Sequence, residues 1–376
     1  MKKKLVILGA GTGGTILANL LSKKDTGNLF DITVINANDK HVYQPGFLYI
    51  VFNRMQEEEI LRPLRNLLHP KVNLIVDRAT RIDPEKRVVY TENGEYRFDY
   101  LVIATGSRIV PEATPGFKEV GDWFYDLEGA KRLRDRLTEM KEGRIVISLI
   151  GIPHKCPVAI MEFTLMLHDC LTTKGKRDNI EIIYTYPLPR VQAIPTVAER
   201  IQEHFDQANI KVKTFFNVIE VDPEKKKVKT LEDEELEFDL LVGIPEHRGA
   251  QVLIDSGLSN KFGWVDVDRT HLNLEKYGNI FAIGDSTNLA TSKAGSVAHY
   301  QAEVLADNLL SMAQGYGPIK RYNGETFCFI ETSCHEATYI TFDYNTPPFP
   351  AKPSKYIHWV KMSYNRLYWL TAKGIL

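Results

Sequence analysis

Lys4-Leu5-Val6-Ile7-Leu8-Gly9-Ala10-Gly11-Thr12-Gly13-Gly14 is a short apolar run that closes on a GxGxxG pattern at Gly9, Gly11 and Gly14. An apolar run of this length ending in glycine predicts a buried strand that turns at once into a helix. Thr15 to Ser22 carries Leu17, Leu20 and Leu21 at helical spacing, and a second apolar strand, Asp31 to Ile35, comes at the interval of a βαβ unit. Glycines in such a turn let backbone amides approach a pyrophosphate at the helix start. Alone the pattern is weak; between two strands it predicts a dinucleotide-binding domain. The acidic residue that usually ends the second strand is replaced by Asn36 and Asn38, with Asp39 just beyond. An amide can still hydrogen-bond a ribose hydroxyl.

Two later segments extend this reading. Phe98-Asp99-Tyr100-Leu101-Val102-Ile103-Ala104-Thr105-Gly106 predicts a strand ending in a small-residue turn at Thr105 and Gly106. In Gly278-Asn279-Ile280-Phe281-Ala282-Ile283-Gly284-Asp285 a carboxylate, Asp285, stands at a strand end. There it can bond a ribityl hydroxyl of a flavin while the next helix points its amides at the ring. FAD is preferred to FMN, because the first turn is built for a pyrophosphate. The chain also repeats itself loosely. Asp83-Pro84-Glu85-Lys86 leads to Phe98-Asp99-Tyr100-Leu101-Val102, and Asp222-Pro223-Glu224-Lys225 leads to Phe238-Asp239-Leu240-Leu241-Val242. Each copy reads as a hairpin and then a strand returning to its parent sheet. The expected fold is α/β: two Rossmann-like FAD/NAD(P)-type domains plus a C-terminal β-rich and amphipathic-helix segment.

The second domain should carry its own phosphate loop after the strand Arg144 to Ile150. The residues at that place are Gly151-Ile152-Pro153-His154-Lys155-Cys156-Pro157. The later glycines are missing, two prolines remove amide donors, and a thiol stands near the expected helix start. This half is therefore expected to lack NAD(P)H and to be capable of sulfur chemistry.

Composition sets the frame. The chain has 376 residues, 44% hydrophobic and 25% charged, with a formal net charge of -1, which describes a globular protein of two or three domains and gives no sign of nucleic-acid binding. No run approaches the about 18 apolar residues of a membrane span. Met1-Lys2-Lys3-Lys4 and the apolar run after it imitate a signal peptide, but the run breaks at Gly9 without a cleavage site. Four cysteines in such a length are not a disulfide framework. Cys156 and Cys170 are expected on one helix, about 21 Å apart and beyond disulfide reach. Cys328 and Cys334 could pair only across a turn, so any functional pair is long-range. In isolation Cys156 is as readily a core residue as a redox centre, Cys170 reads as packing, Cys334 is either a resolving thiol or structural, and Asp285 could be a helix cap. His154 and His335 each neighbour a cysteine, but no CxxC pair exists, and no metal site is expected.

These residues resemble the two-dinucleotide-binding-domain flavoproteins and, within them, the sulfide:quinone oxidoreductase and flavocytochrome c sulfide dehydrogenase group. The narrower likeness rests on Lys155-Cys156-Pro157-Val158-Ala159-Ile160-Met161-Glu162, on Cys328-Phe329-Ile330-Glu331-Thr332, and on Lys293-Ala294-Gly295 through Gln301. Many relatives have a third cysteine where this chain has Tyr125-Asp126, which leaves sulfur-chain length and covalent flavin attachment open. The resemblance implies that Cys156 and Cys328 meet beside the flavin, and that sulfide or another small sulfur donor opens the pair. Cys328 would then pass two electrons on to the flavin, with a quinone as final acceptor. Lys155 and the helix amides would lower the pKa of Cys156, Glu162 is a candidate proton relay, and Lys293 would stabilise reduced flavin.

The C-terminal stretch Tyr356 to Leu370 is dense in aromatics interspersed with Lys361 and Arg366, a pattern suited to a membrane interface. The alternative is a helix packed on the protein or on a second subunit in a homo-oligomer. Phe327, Phe329, Tyr339, Phe342 and Tyr344 are candidates to line a quinone pocket. The expected organisation is residues 1–115 and 250–320 for FAD, 116–249 for the second Rossmann-like domain, and 321–376 for quinone and membrane docking. The enzyme is thus expected to be peripheral to a membrane, on a face the sequence leaves open. Competing readings are a sulfide dehydrogenase with a cytochrome c acceptor, a type II NADH:quinone reductase, and a non-catalytic flavin and thiol redox sensor.

Overall fold

The computed structural model describes residues 1–376. Its first sheet has six strands, in spatial order Asn273–Leu274, Tyr277–Ala282, Tyr100–Ile103, Lys3–Leu8, Phe30–Asn36 and Asn73–Val76. All pair in parallel except the short first strand. Leu5 lies between Ile32 and Tyr100 in register, so the strand that opens the chain is central and its Leu5 to Leu8 are buried on both faces. The next element, helix Thr12–Lys24, buries Ile16, Leu17 and Leu21 and ends in Lys23 and Lys24, which suit the negative end of its dipole. The turn between them needs glycine twice. Gly9 has φ +103°, and a Cβ on Gly14 would stand 2.0 Å from the Gly9 carbonyl oxygen.

The second sheet has five parallel strands, ordered Gly121–Asp122, Leu240–Ile244, Gly143–Leu149, Ile180–Thr185 and Lys211–Lys213. Both parts of the loose repeat fold alike. Ala79–Asp83, Val88–Thr91 and Glu95–Arg97 form an antiparallel meander ahead of Tyr100–Ile103, as Val218–Asp222, Lys227–Thr230 and Glu235–Glu237 do ahead of Leu240–Ile244. A two-stranded ribbon, Arg108–Val110 against Glu246–Arg248, bridges the segments that leave the two sheets.

Beyond the long helix Gly295–Ala313, the chain forms an antiparallel hairpin, Thr326–Glu331 with Ala337–Phe342, in which Cys328 faces Ile340 in register. The C-terminal helix Lys355–Ala372 starts where the Ser354 side chain accepts the Ile357 amide. Hairpin and helix share one apolar core with the second sheet, so the C-terminal segment is a structural partner of that domain.

One expectation fails in this region. Cys156 and Cys170 do not share a helix: the helix spans Ala159–Thr173, and Cys156 lies in the loop before it with φ +49°. Pro157 is the cause, because a residue before proline is driven out of the helical region.

Candidate active site

A cavity of about 320 Å³ gathers the residues expected at the site. Gly9, Gly11, Asn36, Thr105, Gly106, Asp285 and Lys293 line it, and so do Cys156, Glu162 and Cys328. Gly14 does not; its role is close packing beneath Gly9. Phe327 and Phe329 line the cavity, whereas Tyr339, Phe342 and Tyr344 lie outside it.

The nucleotide half fits FAD. Gly11, Gly106 and Gly295 border open space, since a Cβ on any of them would meet no atom within 4 Å. The helices that begin at Thr12 and Gly295 have no side-chain cap, so their first amides point at the cavity without a partner from the protein. Thr105 Oγ1 and the Tyr125 hydroxyl are buried without a hydrogen-bond partner and sit in the same lining. Asn36 is already engaged, accepting the Ala10 amide at 2.8 Å and donating to the Asn38 carbonyl at 2.8 Å, so it shapes the turn. Lys293 donates to the carbonyls of Asp285 at 3.1 Å and Thr287 at 2.6 Å, above the Trp264 ring. Burial lowers its pKa to about 8, against a smaller upward pull from Asp285.

Cys156 reaches this cavity from a strained loop. A non-glycine residue at φ +49° is held at a cost of about 1–3 kcal/mol, which persists only where neighbours over-determine it. Those neighbours are identifiable: the Cys156 amide donates to the Lys293 carbonyl at 3.2 Å, and Lys155 Nζ donates to Gln44 Oε1 at 2.6 Å. Cys328 arrives from the hairpin strand. Burial pushes the Cys156 thiol well above its ordinary range, helped by Cys328 and Glu162, and Lys361 and Lys155 offset only part of the rise. Burial likewise pushes Cys328 up to about 12. Lys155 does not deliver the lowered thiol pKa expected of it: it is itself buried, which lowers its own pKa, and desolvation outweighs its charge.

Behind the thiols lies a buried charged cluster that sequence reading did not foresee. Glu162 Oε1 accepts the Glu331 amide at 2.8 Å and pairs with Lys361 Nζ. Lys361 Nζ is also 3.8 Å from Glu331 Oε1, which accepts the Tyr49 hydroxyl at 2.8 Å. Glu331 Oε2 and His358 Nδ1 are 2.9 Å apart. Burial raises the pKa of Glu162 despite Lys361, while Glu162, Tyr49 and Glu331 together outweigh burial and raise that of Lys361. Removing one member of such a pair strands a buried charge, at about 3–5 kcal/mol. The C-terminal helix also reaches the nucleotide end, where the Tyr368 hydroxyl bonds Thr12 Oγ1 at 2.8 Å and His41 Nε2 at 2.7 Å.

Two Rossmann-type sheets, uncapped helix starts facing one cavity and two cysteines in its wall define a two-domain flavin-dependent oxidoreductase. The chain belongs to the pyridine nucleotide-disulphide oxidoreductase family, whose pattern matches residues 3–303. It is 27% identical over 368 residues to the mitochondrial sulfide:quinone oxidoreductase of Mus musculus, covering 94% of this chain and 81% of that protein. It is 22% identical over 342 residues to the type II NADH:quinone oxidoreductase of Staphylococcus saprophyticus, covering 84% of this chain and 83% of that one. Its fold is similar to that of the Aquifex aeolicus sulfide:quinone oxidoreductase, with a TM-score of 0.89 at 24% identity over 99% of this chain and 92% of that one.

Proposed function

We propose that this enzyme oxidises sulfide through Cys156 and Cys328 and delivers the electrons to a quinone. The observation that carries the reading is that these two cysteines, from a loop of the second domain and from the C-terminal hairpin, line the same cavity as the FAD-type glycine turns. Residues 1–115 and 250–320 would hold FAD, 116–249 supply the Cys156 loop, and 321–376 supply Cys328 with the quinone and membrane surface. The flavin supplies a two-electron carrier between sulfur and quinone.

The two cysteines are free in the structure; in the catalytic cycle they would start as a bridged pair. Hydrosulfide then attacks one sulfur of the Cys156–Cys328 bond, giving a persulfide on one cysteine and a thiolate on the other. Lys361 and Lys155 are the cations nearest in effect to the thiolate as it forms. Phe327, Phe329 and Tyr364, which line the cavity with Cys328, offer a quinone ring an apolar wall.

Pyridine nucleotide chemistry fits the second domain poorly. A Cβ on Gly151 would stand 2.2 Å from the Glu246 amide nitrogen, so the chain's own backbone packs where a phosphate would have to approach. The next helix begins only at Ala159, with the cysteine loop between.

The C-terminal helix supports membrane docking by its inverted polarity. It buries Lys361, Asn365, Tyr368 and Thr371 against the protein and leaves Trp359 74% and Tyr356 77% exposed, with Leu367 and Leu370 on the same outer side. No helix is long and apolar enough to cross a membrane. Sulfide-dependent quinone reduction by the purified FAD-loaded protein tests the reading. Cys156→Ser and Cys328→Ser should each lose more than about a hundredfold of it while keeping bound FAD. Full activity in either variant would refute the thiol route, and reduction of cytochrome c in preference to quinone would replace the acceptor.

A further inference from the structure

The buried cluster of Glu331 and His358 does nothing in the sulfur chemistry above, yet it joins the cavity to the surface. Glu162 and Lys361 line the cavity; Glu331 is fully buried behind them, and His358 stands beyond Glu331 with its side chain 12% exposed. Its ring centroid lies 6.4 Å from that of His335, an exposed residue of the hairpin turn. From the C-terminal helix, helix Gly46–Val51 and helix Ala159–Thr173, the groups in contact with Glu331 are His358, Lys361, Tyr49 and Glu162, and His335 of the hairpin turn stands beside His358. No other carboxylate meets them in these contacts. Two carboxylates facing one ammonium leave one charge unbalanced, and one proton on His358 or Glu162 balances it. The cluster can thus hold a proton in either of two places, one at the surface end and one at the cavity end.

We propose that His358 and Glu331 are the entry route by which a proton from solvent reaches Glu162 and the quinone. This deepens the sulfide and quinone reading and rests on it. The stoichiometry calls for a proton from solvent. Hydrosulfide yields zero-valent sulfur, one proton and two electrons, and a quinone needs two protons and two electrons to become the quinol. The balance is HS⁻ + H⁺ + quinone → S⁰ + quinol, so one proton per turnover must come from outside the site. In the chain of contacts it passes from His358 to Glu331 and, across Lys361, to Glu162 at the cavity wall. His358 and Glu331 are positioning residues for this transfer; neither lines the cavity.

The test separates the two half-reactions in the FAD-loaded protein. His358→Ala sits at a half-buried position, and Glu331→Gln keeps the shape of the buried side chain. Under anaerobic rapid mixing, sulfide should bleach both variants at a rate within about twofold of the unaltered protein. Reoxidation by a water-soluble quinone should slow at least tenfold, with a larger solvent deuterium isotope effect. Proton uptake, tracked with an indicator dye in weakly buffered solution, should lag by the same factor, and added imidazole should restore it in His358→Ala alone. Equal slowing of both half-reactions, unchanged reoxidation, or absence of imidazole rescue would each overturn the route. Failure of sulfide to bleach the unaltered protein would overturn the reading on which it rests.

Discussion

The thiols of Cys156 and Cys328 sit where desolvation opposes ionisation and where Lys155 and Lys361 compensate only in part. A raised thiol pKa means a folded state that keeps the proton, so reactivity that needs the thiolate must keep rising with pH. Burial pushes Cys328 up to about 12, so little of it is thiolate near neutral pH. In the reduced protein, alkylation of Cys328 by iodoacetamide, measured by peptide mass spectrometry, should climb about tenfold per pH unit from pH 7 to 10. A plateau near pH 7 would mean an activated thiolate and contradict this. At this scale the cysteine segments and Glu162 were legible, because the chemistry lies in short contiguous motifs. Glu331 and His358 were not: their meaning depends on Glu162 and Lys361, which come together only through packing of the hairpin and last helix on the second domain.

Among the elements, the C-terminal helix has two faces of opposite character. Its inner face pins the first glycine turn through Tyr368 and Thr12 and seats Lys361 behind the thiols. The outer face is apolar, with Trp359 and Tyr356 largely exposed. Burying a large apolar side chain in an interface contributes about 1.5–3 kcal/mol. The double substitution Trp359→Ser with Leu367→Ser should therefore weaken co-sedimentation with anionic lipid vesicles by about a hundredfold, with the folded protein's melting temperature unchanged. Equal vesicle binding by the variant would show that this helix is not the docking face. The aromatic and cationic density of the helix could be read from the sequence, but its inversion could not. Periodicity gives an apolar stripe without saying whether the stripe faces the core or the outside, and here Lys361 is the buried side.

At the scale of the whole molecule, the two-sheet plan arises from local signals: a glycine turn between strands and a repeated hairpin motif. Each lies within one supersecondary unit, so neither needs long-range knowledge. The cavity is different. It forms only when the loop at Cys156, the hairpin at Cys328 and the last helix close over the glycine turns, and the thiol positions within it depend on a proline and a strained φ that spacing alone misassigned to a helix. In the second domain the Glu246 backbone packs against Gly151, which disfavours a pyrophosphate at that turn and supports the proposal of sulfide over NADH as the electron source. The most direct test is anaerobic titration of the flavin absorbance with sulfide and, separately, with NADH. Bleaching by sulfide that is reversed by a quinone and abolished in Cys156→Ser, with no response to NADH, is the expected result; bleaching by NADH with indifference to sulfide would contradict it.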